Sequence, residues 1–81
     1  MNNLKFLLAL HSRSGDILLG SELYVILSKY YSHPKSLKVR KLLLEKCILE
    51  FKGLDGKDKR VKKYKVKALE FDELTKMFVA D

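Results

Sequence analysis

The sequence contains one cysteine, Cys47, and one proline, Pro34, among 81 residues. A single thiol cannot form an intramolecular disulfide, and it cannot supply the ligand set of a zinc finger. The two histidines, His11 and His33, lie far apart in the sequence without companion ligands, so we expect no metal site and no other cofactor. The absence of a disulfide framework favours an intracellular protein of the cytoplasm, nucleoid or nucleus.

Long hydrophobic runs are also missing. The longest runs, such as residues 6–10, are far too short to cross a bilayer, and the N-terminus lacks the regions that define a signal peptide. The sequence has no glycine-rich phosphate loop, no nucleophile with a matching base and no carboxylate pair in an apolar setting. We therefore expect neither membrane association nor enzymatic activity.

What the sequence does have is positive charge concentrated in one segment. The formal net charge is +7, and the hydrophobic content of 47% is ordinary for a globular protein. Residues 35–67 carry 13 Lys and Arg against 4 Asp and Glu, whereas the remainder carries 4 against 6. Such a balance favours partners that bear phosphate groups. We expect one domain, residues 1–81, that buries about 60% of its unfolded surface.

Hydrophobic periodicity predicts four helices, two longer strands and one short extended segment. The helices are predicted at residues 3–11, 21–31, 35–46 and 71–78, the short segment at 17–19, and the strands at 48–54 and 60–69. Ser21 is the candidate N-cap of the second helix, and Pro34 suits the first turn of the third. The two longer strands are joined by "DGKDK", residues 55–59, in which Asp-Gly tolerates positive φ.

The third helix is predicted to have an apolar side and a charged side. The apolar side carries Leu37, Val39, Leu43, Leu44 and Cys47, and the charged side carries Lys35, Lys38, Lys41 and Glu45. Arg40 falls among the apolar positions, so either its long side chain snorkels outward to solvent or the helix is rotated relative to this assignment. Cys47 is expected to be a small buried residue. The aromatic residues expected in the core are Tyr24, Tyr30, Phe51, Tyr64 and Phe71.

The strand at residues 60–69 has the clearest alternation in the chain. Tyr64, Val66 and Ala68 point to one face, and Lys63, Lys65 and Lys67 point to the other. Lysines at every second position lie about 7 Å apart, a spacing comparable to that of phosphates along a nucleic-acid strand. The alternative is a solvated lysine face that discourages pairing between sheet edges, and the sequence leaves both open.

The elements follow the order helix, short strand, helix, helix, strand, charged turn, strand, helix. This order resembles the winged helix-turn-helix superfamily over nearly the whole chain. The residues that carry the resemblance are "SLKVRKLLLEKCILE", residues 36–50, followed by the hairpin. In that superfamily a small residue, usually glycine, separates the third helix from the wing, and Cys47 stands in its place. The implied fold is α+β: a three-helix core, a two- to three-stranded antiparallel wing and a short C-terminal helix.

The resemblance implies a non-enzymatic protein that binds double-stranded DNA as a small transcription regulator or as a replication or architectural factor. The helix at residues 35–46 would enter the major groove, and the basic wing at residues 52–67 would lie along adjacent backbone or minor groove. The implied DNA contacts of the helix are Lys35, Ser36, Lys38 and Lys41. Those of the wing are Lys57, Lys59, Arg60, Lys62, Lys63 and Lys65. Since arginine is scarce, we expect weak sequence selectivity from the wing.

The resemblance also implies protein partners. Winged-helix regulators are often homodimers, and the terminal helices, around residues 4–10 and 71–78, are the candidate interface. Winged helices also serve as protein-interaction modules or as accessory domains of replication complexes, in which the basic face would dock on an acidic partner. Binding of DNA by the isolated chain would distinguish DNA binding from this alternative.

Overall fold

A computed structural model describes residues 2–79. Within this range the chain is a small α+β structure with four helices and a three-stranded antiparallel sheet. The helices are α1 (Asn2–His11), α2 (Gly20–Ser28), α3 (His33–Glu45) and α4 (Phe71–Val79). The strands are β1 (Ile17–Leu19), β2 (Leu49–Leu54) and β3 (Lys62–Val66). The predicted order of the elements is therefore confirmed, and the short segment at residues 17–19 is a strand.

Strand β3 lies in the centre of the sheet. It pairs antiparallel with β1 on one side and with β2 on the other. Lys65 lies opposite both Ile17 and Glu50, whereas Tyr64 lies opposite Leu18. Residues that face each other across a ladder share one face of the sheet. Leu18 and Tyr64 are buried, so their face is the inner one that the helices cover, and Lys65 lies on the outer face.

Helix α2 begins one residue earlier and ends three residues earlier than the sequence predicts. It starts at Gly20, and Leu19 rather than Ser21 is the capping residue. The backbone N–H of Leu19 donates to the Oε1 atom of Glu22 at 3.0 Å. This contact places a carboxylate on the first turn, where the helix dipole favours negative charge. The helix ends at Ser28 because the chain turns there toward α3.

A four-residue turn, residues 29–32, connects α2 with α3. This length is typical of a helix-turn-helix. Helix α3 begins at His33, and Pro34 lies in its first turn as predicted, where its missing N–H costs nothing. The hydroxyl of Tyr24 lies 2.7 Å from the Nδ1 atom of His33, so a hydrogen bond joins α2 directly to the start of α3.

The helices pack on the inner sheet face around one cluster of buried hydrophobic residues. The ring of Phe6 in α1 lies 5.3 Å from that of Tyr31 and 6.1 Å from that of Phe78 in α4, so an aromatic group joins the two terminal helices. The buried cluster consists of Phe6, Leu7, Leu10, Leu18, Leu23, Leu27, Val39, Leu43, Ile48, Leu49, Tyr64, Val66, Leu74 and Phe78.

Helix α3 ends in a Schellman motif centred on Cys47. The backbone N–H of Ile48 donates to the carbonyl of Leu43 at 2.9 Å, and the N–H of Cys47 donates to that of Leu44 at 3.1 Å. Cys47 has a φ of 60°, in the left-handed region that favours glycine. This left-handed residue directs the chain from α3 into β2.

Several residues predicted to lie in the core are exposed. Leu37 is 39% exposed because the buried side of α3 includes Val39, and a separation of two residues is about 200° of helical rotation. Phe51 is 50% exposed and contacts Tyr64 only by its ring edge, at a centroid distance of 5.9 Å. The thiol of Cys47 is exposed, because the left-handed turn directs it away from the core. Ala68, beyond the end of β3, is also exposed.

The strain at Cys47 gives a stability test. A left-handed conformation costs an ordinary residue about 1–2 kcal/mol, whereas glycine loses about 0.5–1 kcal/mol of backbone entropy. We expect Cys47→Gly to leave the free energy of unfolding unchanged or to raise it by up to about 1 kcal/mol. Cys47→Val should lower it by about 1–2 kcal/mol, because a β-branched side chain suits positive φ least. Denaturant unfolding measures both, and Cys47→Ala, which keeps Cβ without the thiol, is the control. A Cys47→Val variant as stable as the parent would contradict this account.

Candidate nucleic-acid interface

The exposed side of α3 presents two lysines. Lys38 and Lys41 are exposed and lie three residues apart, so they share one side of the helix with Glu45. Lys35 is exposed as well, but it borders a shallow hollow with Phe78 and therefore lies toward α4. The helix thus carries a compact pair of cations on its outer side and a third cation at its margin.

Ser36, which the sequence places among the DNA contacts of α3, is fully buried. Its backbone N–H donates to the carbonyl of Ser32 at 2.8 Å, and its hydroxyl donates to the carbonyl of Tyr31 at 3.4 Å. The small side chain packs beneath the turn between α2 and α3, and its hydrogen-bonding capacity is used within the protein. The prediction that Ser36 faces a DNA groove is therefore wrong, because the residue has no exposed surface.

The alternation of β3 divides its lysines between the two faces of the sheet. Lys62 lies on the face of Tyr64, toward the helices, whereas Lys63 and Lys65 lie on the outer face, with Lys63 opposite Leu19. Lys62 and Lys65 are exposed, and Lys63 is partly buried. The lysine row of the sequence is therefore present, but it points away from the side on which α3 packs.

The outer sheet face, defined by Ile17, Glu50, Lys52, Lys63, Lys65 and Lys67, is not uniformly basic. The Nζ atom of Lys52 donates to the Oε1 atom of Glu50 at 2.9 Å. This hydrogen bond and the charge of Lys52, together with the nearby charges of Lys65 and Lys67, lower the pKa of Glu50 below its ordinary value. The ionised carboxylate offsets part of the positive charge of this face.

Edge protection does not explain the lysines of β3. The strand is hydrogen-bonded on both sides, and the sheet edges belong to β1 and β2. The edge strand β2 has its own protection: Lys52 and Gly53 together oppose Lys63, and this bulge interrupts the ladder. Gly53 has a φ of 94°, which glycine adopts without strain.

The hairpin loop, residues 55–61, joins β2 to β3. Its exposed cations are Lys57, Lys59 and Arg60. The Oδ1 atom of Asp58 accepts hydrogen bonds from the backbone N–H of Arg60 at 3.0 Å and from its Nε at 3.3 Å, and these bonds lower the pKa of Asp58. The backbone N–H of Asp55 donates to the carbonyl of Val61 at 2.7 Å and closes the loop. Gly56 does not have positive φ, so Asp58 rather than the predicted Asp-Gly pair organises the turn.

Arg40 is the interface residue that sequence reasoning left unassigned. It is partly buried and lines a hollow of about 280 Å³ between α3, the first turn of α2 and the hairpin. The other residues of this basic hollow are Gly20, Ser21, Arg60, Val61, Lys62 and Tyr64. The sequence signal for it was the position of Arg40 among apolar residues on the helical wheel, where a long cationic side chain can extend from the apolar side to solvent.

The described residues offer little for other chemistry. Within residues 2–79, no three His, Cys, Asp or Glu side chains come together as metal ligands. The Nε2 atom of His11 lies 3.1 Å from the carbonyl oxygen of Leu69, a contact within the protein. None of the helices in this range combines the length and the hydrophobicity that a membrane-spanning helix requires.

Similarity does not assign the chain to a family. Comparison with protein-family models, with curated proteins and with solved structures finds no match. The functional argument therefore rests on the geometry of the described residues and on the chemistry of their side chains.

The two carboxylates with lowered pKa values give a test of the interface electrostatics. We expect NMR titration to place the pKa of Glu50 and of Asp58 below the ordinary values of Glu and Asp. Lys52→Met should raise the pKa of Glu50 and leave that of Asp58 unchanged, because only Glu50 accepts a hydrogen bond from Lys52. Since the folded-state pKa values are depressed, the stability from these contacts is present above the unfolded-state pKa and is lost as pH falls through the folded-state pKa. An unshifted Glu50 in the parent protein would disprove the contact.

Proposed function

We propose that this chain is a winged-helix protein that binds double-stranded DNA and catalyses no reaction. The observation that carries the proposal is the basic hollow. Arg40 of α3 lines it together with Arg60 and Lys62 of the hairpin, so the helix and the hairpin present their cations to a common opening. A surface of this kind matches the negative charge of a duplex backbone.

The topology supports the winged-helix assignment. Helices α2 and α3 are joined by a short turn, and the β2–β3 hairpin follows α3 directly. In a winged helix, α3 would be the recognition helix in the major groove, and the hairpin would be the wing on neighbouring backbone. The left-handed Cys47 between α3 and β2 agrees with this pattern.

The lysines of β3 lie on both faces of the sheet, and this distribution refines the proposed interface. In the proposed complex the duplex lies along the exposed side of α3, at Lys38 and Lys41, and reaches around the helix to the basic hollow, which Arg40, Arg60 and Lys62 line. Lys63 and Lys65 lie on the outer sheet face, so in this arrangement they attract the duplex only from a distance. The outer side of α3 carries lysines rather than arginines, so we expect a regulator, replication factor or architectural factor with weak base selectivity.

Two double variants test this arrangement: one removes two lysine charges from the exposed side of α3, and the other removes two from the outer sheet face. Fluorescence anisotropy with a labelled duplex, over a series of salt concentrations, should show binding by the parent chain. Lys38→Gln with Lys41→Gln should weaken it by about tenfold or more and reduce the log–log salt slope by about 1.8, because each lost phosphate contact removes about 0.9.

The matched control is Lys63→Gln with Lys65→Gln, which removes the same charge from the outer sheet face. It should leave the salt slope close to that of the parent chain. A larger loss from this control than from the α3 pair would instead place the duplex on the outer sheet face.

A protein-interaction module is the second candidate function, and one feature favours it. A hollow of about 620 Å³ beside the outer sheet face is lined by apolar side chains, including Leu44 and Phe51, by Lys65 and Lys67, and by Glu50. The charge of Glu50 is offset by its ion pair with Lys52. This combination suits an acidic protein segment with hydrophobic anchors. The same anisotropy series separates the two functions, since absence of duplex binding at low salt would favour the protein partner.

We also propose that the chain forms a homodimer through α1. Leu4 and Leu8 lie four residues apart on this helix and are 52% and 54% exposed. Helix α4 contributes less than the sequence suggests, because Leu74 and Phe78 pack into the core. The proposed interface is therefore the outer side of α1.

Sedimentation velocity tests the homodimer. The parent chain should sediment as a dimer at tens of micromolar, and Leu4→Lys with Leu8→Lys should convert it to a monomer without loss of helical signal. Val25→Lys, which places a lysine at another exposed apolar position, on α2, is the control and should leave the dimer intact. A monomeric parent chain would eliminate the dimer.

A further inference from the structure

We infer that the basic hollow is a binding site for one phosphate group, and that a backbone phosphate of bound duplex occupies it. The inference rests on the proposed function and adds two residues, Arg40 and Tyr64, that the sequence does not assign to the interface. It also gives the hollow a specific role, which is to hold one point of the backbone between α3 and the hairpin.

The first argument is the unused guanidinium of Arg40. Its side chain is partly buried and lines the hollow, yet no group within residues 2–79 forms a hydrogen bond or ion pair with it. Partial burial removes some of the water that would otherwise solvate the charge. A planar guanidinium with five N–H donors is suited to a phosphate, which accepts two parallel hydrogen bonds from it.

The second argument is the hydroxyl of Tyr64. The residue is only 3% exposed and forms part of the wall of the hollow. Its hydroxyl has no hydrogen-bond partner among the described residues. In that range, every buried side-chain oxygen that is shielded from solvent has a hydrogen-bond partner. The hydroxyl therefore reaches solvent from an otherwise buried ring, and an O–H without an internal acceptor is available to donate to an anion.

The charge around the hollow has one sign. Lys62 and Arg60 line it beside Arg40, and none of the lining residues is acidic. Asp58 offsets Arg60 through the contact within the hairpin loop, so Arg40 and Lys62 are the uncompensated cations. The first turn of α2, at Gly20 and Ser21, adds backbone N–H groups at the positive end of the helix dipole.

The arrangement of the donors favours a phosphate over a planar carboxylate. They come from three separate elements, α3, β3 and the start of α2, that border one opening. A tetrahedral anion offers oxygens to donors on several sides, whereas a carboxylate offers two oxygens in one plane. A phosphate held there would also fix the position of the duplex relative to both α3 and the hairpin.

Two variants remove the proposed donors with little change in shape. Arg40→Met keeps a long apolar stem and loses the charge, and Tyr64→Phe loses only the hydroxyl. We expect Arg40→Met to weaken duplex binding about tenfold and to reduce the salt slope by about 0.9, the value for one phosphate contact. We expect Tyr64→Phe to weaken binding about fivefold, the equivalent of one hydrogen bond of about 1 kcal/mol, without a change in slope.

Lys67→Met removes one cation from the outer sheet face and is the matched control, expected to keep both affinity and slope. Arg40→Lys should have the salt slope of the parent chain but a lower affinity, because lysine keeps the positive charge and lacks the planar guanidinium group. Thermal unfolding of each variant separates lost binding from lost folding.

A duplex with one neutral methylphosphonate linkage, moved along each strand in turn, locates the phosphate. At one position the neutral linkage should weaken binding by the parent chain and leave binding by the Arg40→Met variant unchanged. If Arg40→Met and Tyr64→Phe bind the duplex as the parent chain does, the phosphate site is overturned while the proposed function stands.

If the parent chain binds no duplex, the proposed function fails, and a titration with inorganic phosphate decides the site. Saturable NMR shifts of the Gly20 and Ser21 amides that are absent in Arg40→Met, together with a saturable shift of Arg40 Nε in the parent chain, would support a site for free phosphate. No shift would overturn the inference in that case too.

Discussion

Strand β3 is hydrogen-bonded on both sides, and this central position determines how the basic half of the chain presents its charge. The inner residues Tyr64 and Val66 must pack against the helices, since they are the part of the sheet farthest from either edge. Their burial fixes the register, and a shift by one residue would place lysines in the core. Lys63 and Lys65 are consequently held on the outer face, and Lys62 is held on the side of α3.

The fold follows from the sequence wherever one element shows its own period. The alternation of β3, Pro34 at the start of α3 and the apolar spacing of α4 each predict an element that the structure contains. Prediction from the sequence fails where the burial of a residue depends on how another segment packs over it. Ser36 is buried because the turn before α3 lies over it, and Phe51 is exposed because the helices do not cover that part of the sheet. The basic hollow depends on residues 20, 40 and 60, whose approach no local pattern can reveal.

The end of α3 connects the core to the candidate interface. The Schellman motif at Cys47 reverses the chain so that Ile48 and Leu43 enter the same core, and β2 begins immediately afterwards. The hairpin is therefore held by buried side chains at its base, while the bulge at Gly53 twists the part beyond them. Because the base of the β2–β3 hairpin is fixed to α3 by these buried side chains, Arg60 and Lys62 are held next to Arg40 around the basic hollow. Like charges so placed repel one another, and a bound anion relieves that repulsion.

In the proposed complex with a duplex, screening by salt would determine which cations matter for binding. The described chain measures 36 × 25 × 22 Å, whereas the Debye length is about 8 Å at physiological ionic strength. Charges on the outer sheet face would therefore be largely screened from a duplex on the other side of the protein, and they would act mainly on its approach at low salt. Arg40 and Lys62 would touch the backbone directly, and the partial burial of Arg40 would limit the screening of its charge. In the proposed complex the net charge of +7 would have two separable effects: most of it would attract the duplex, and a few cations around the basic hollow would determine where the duplex lies.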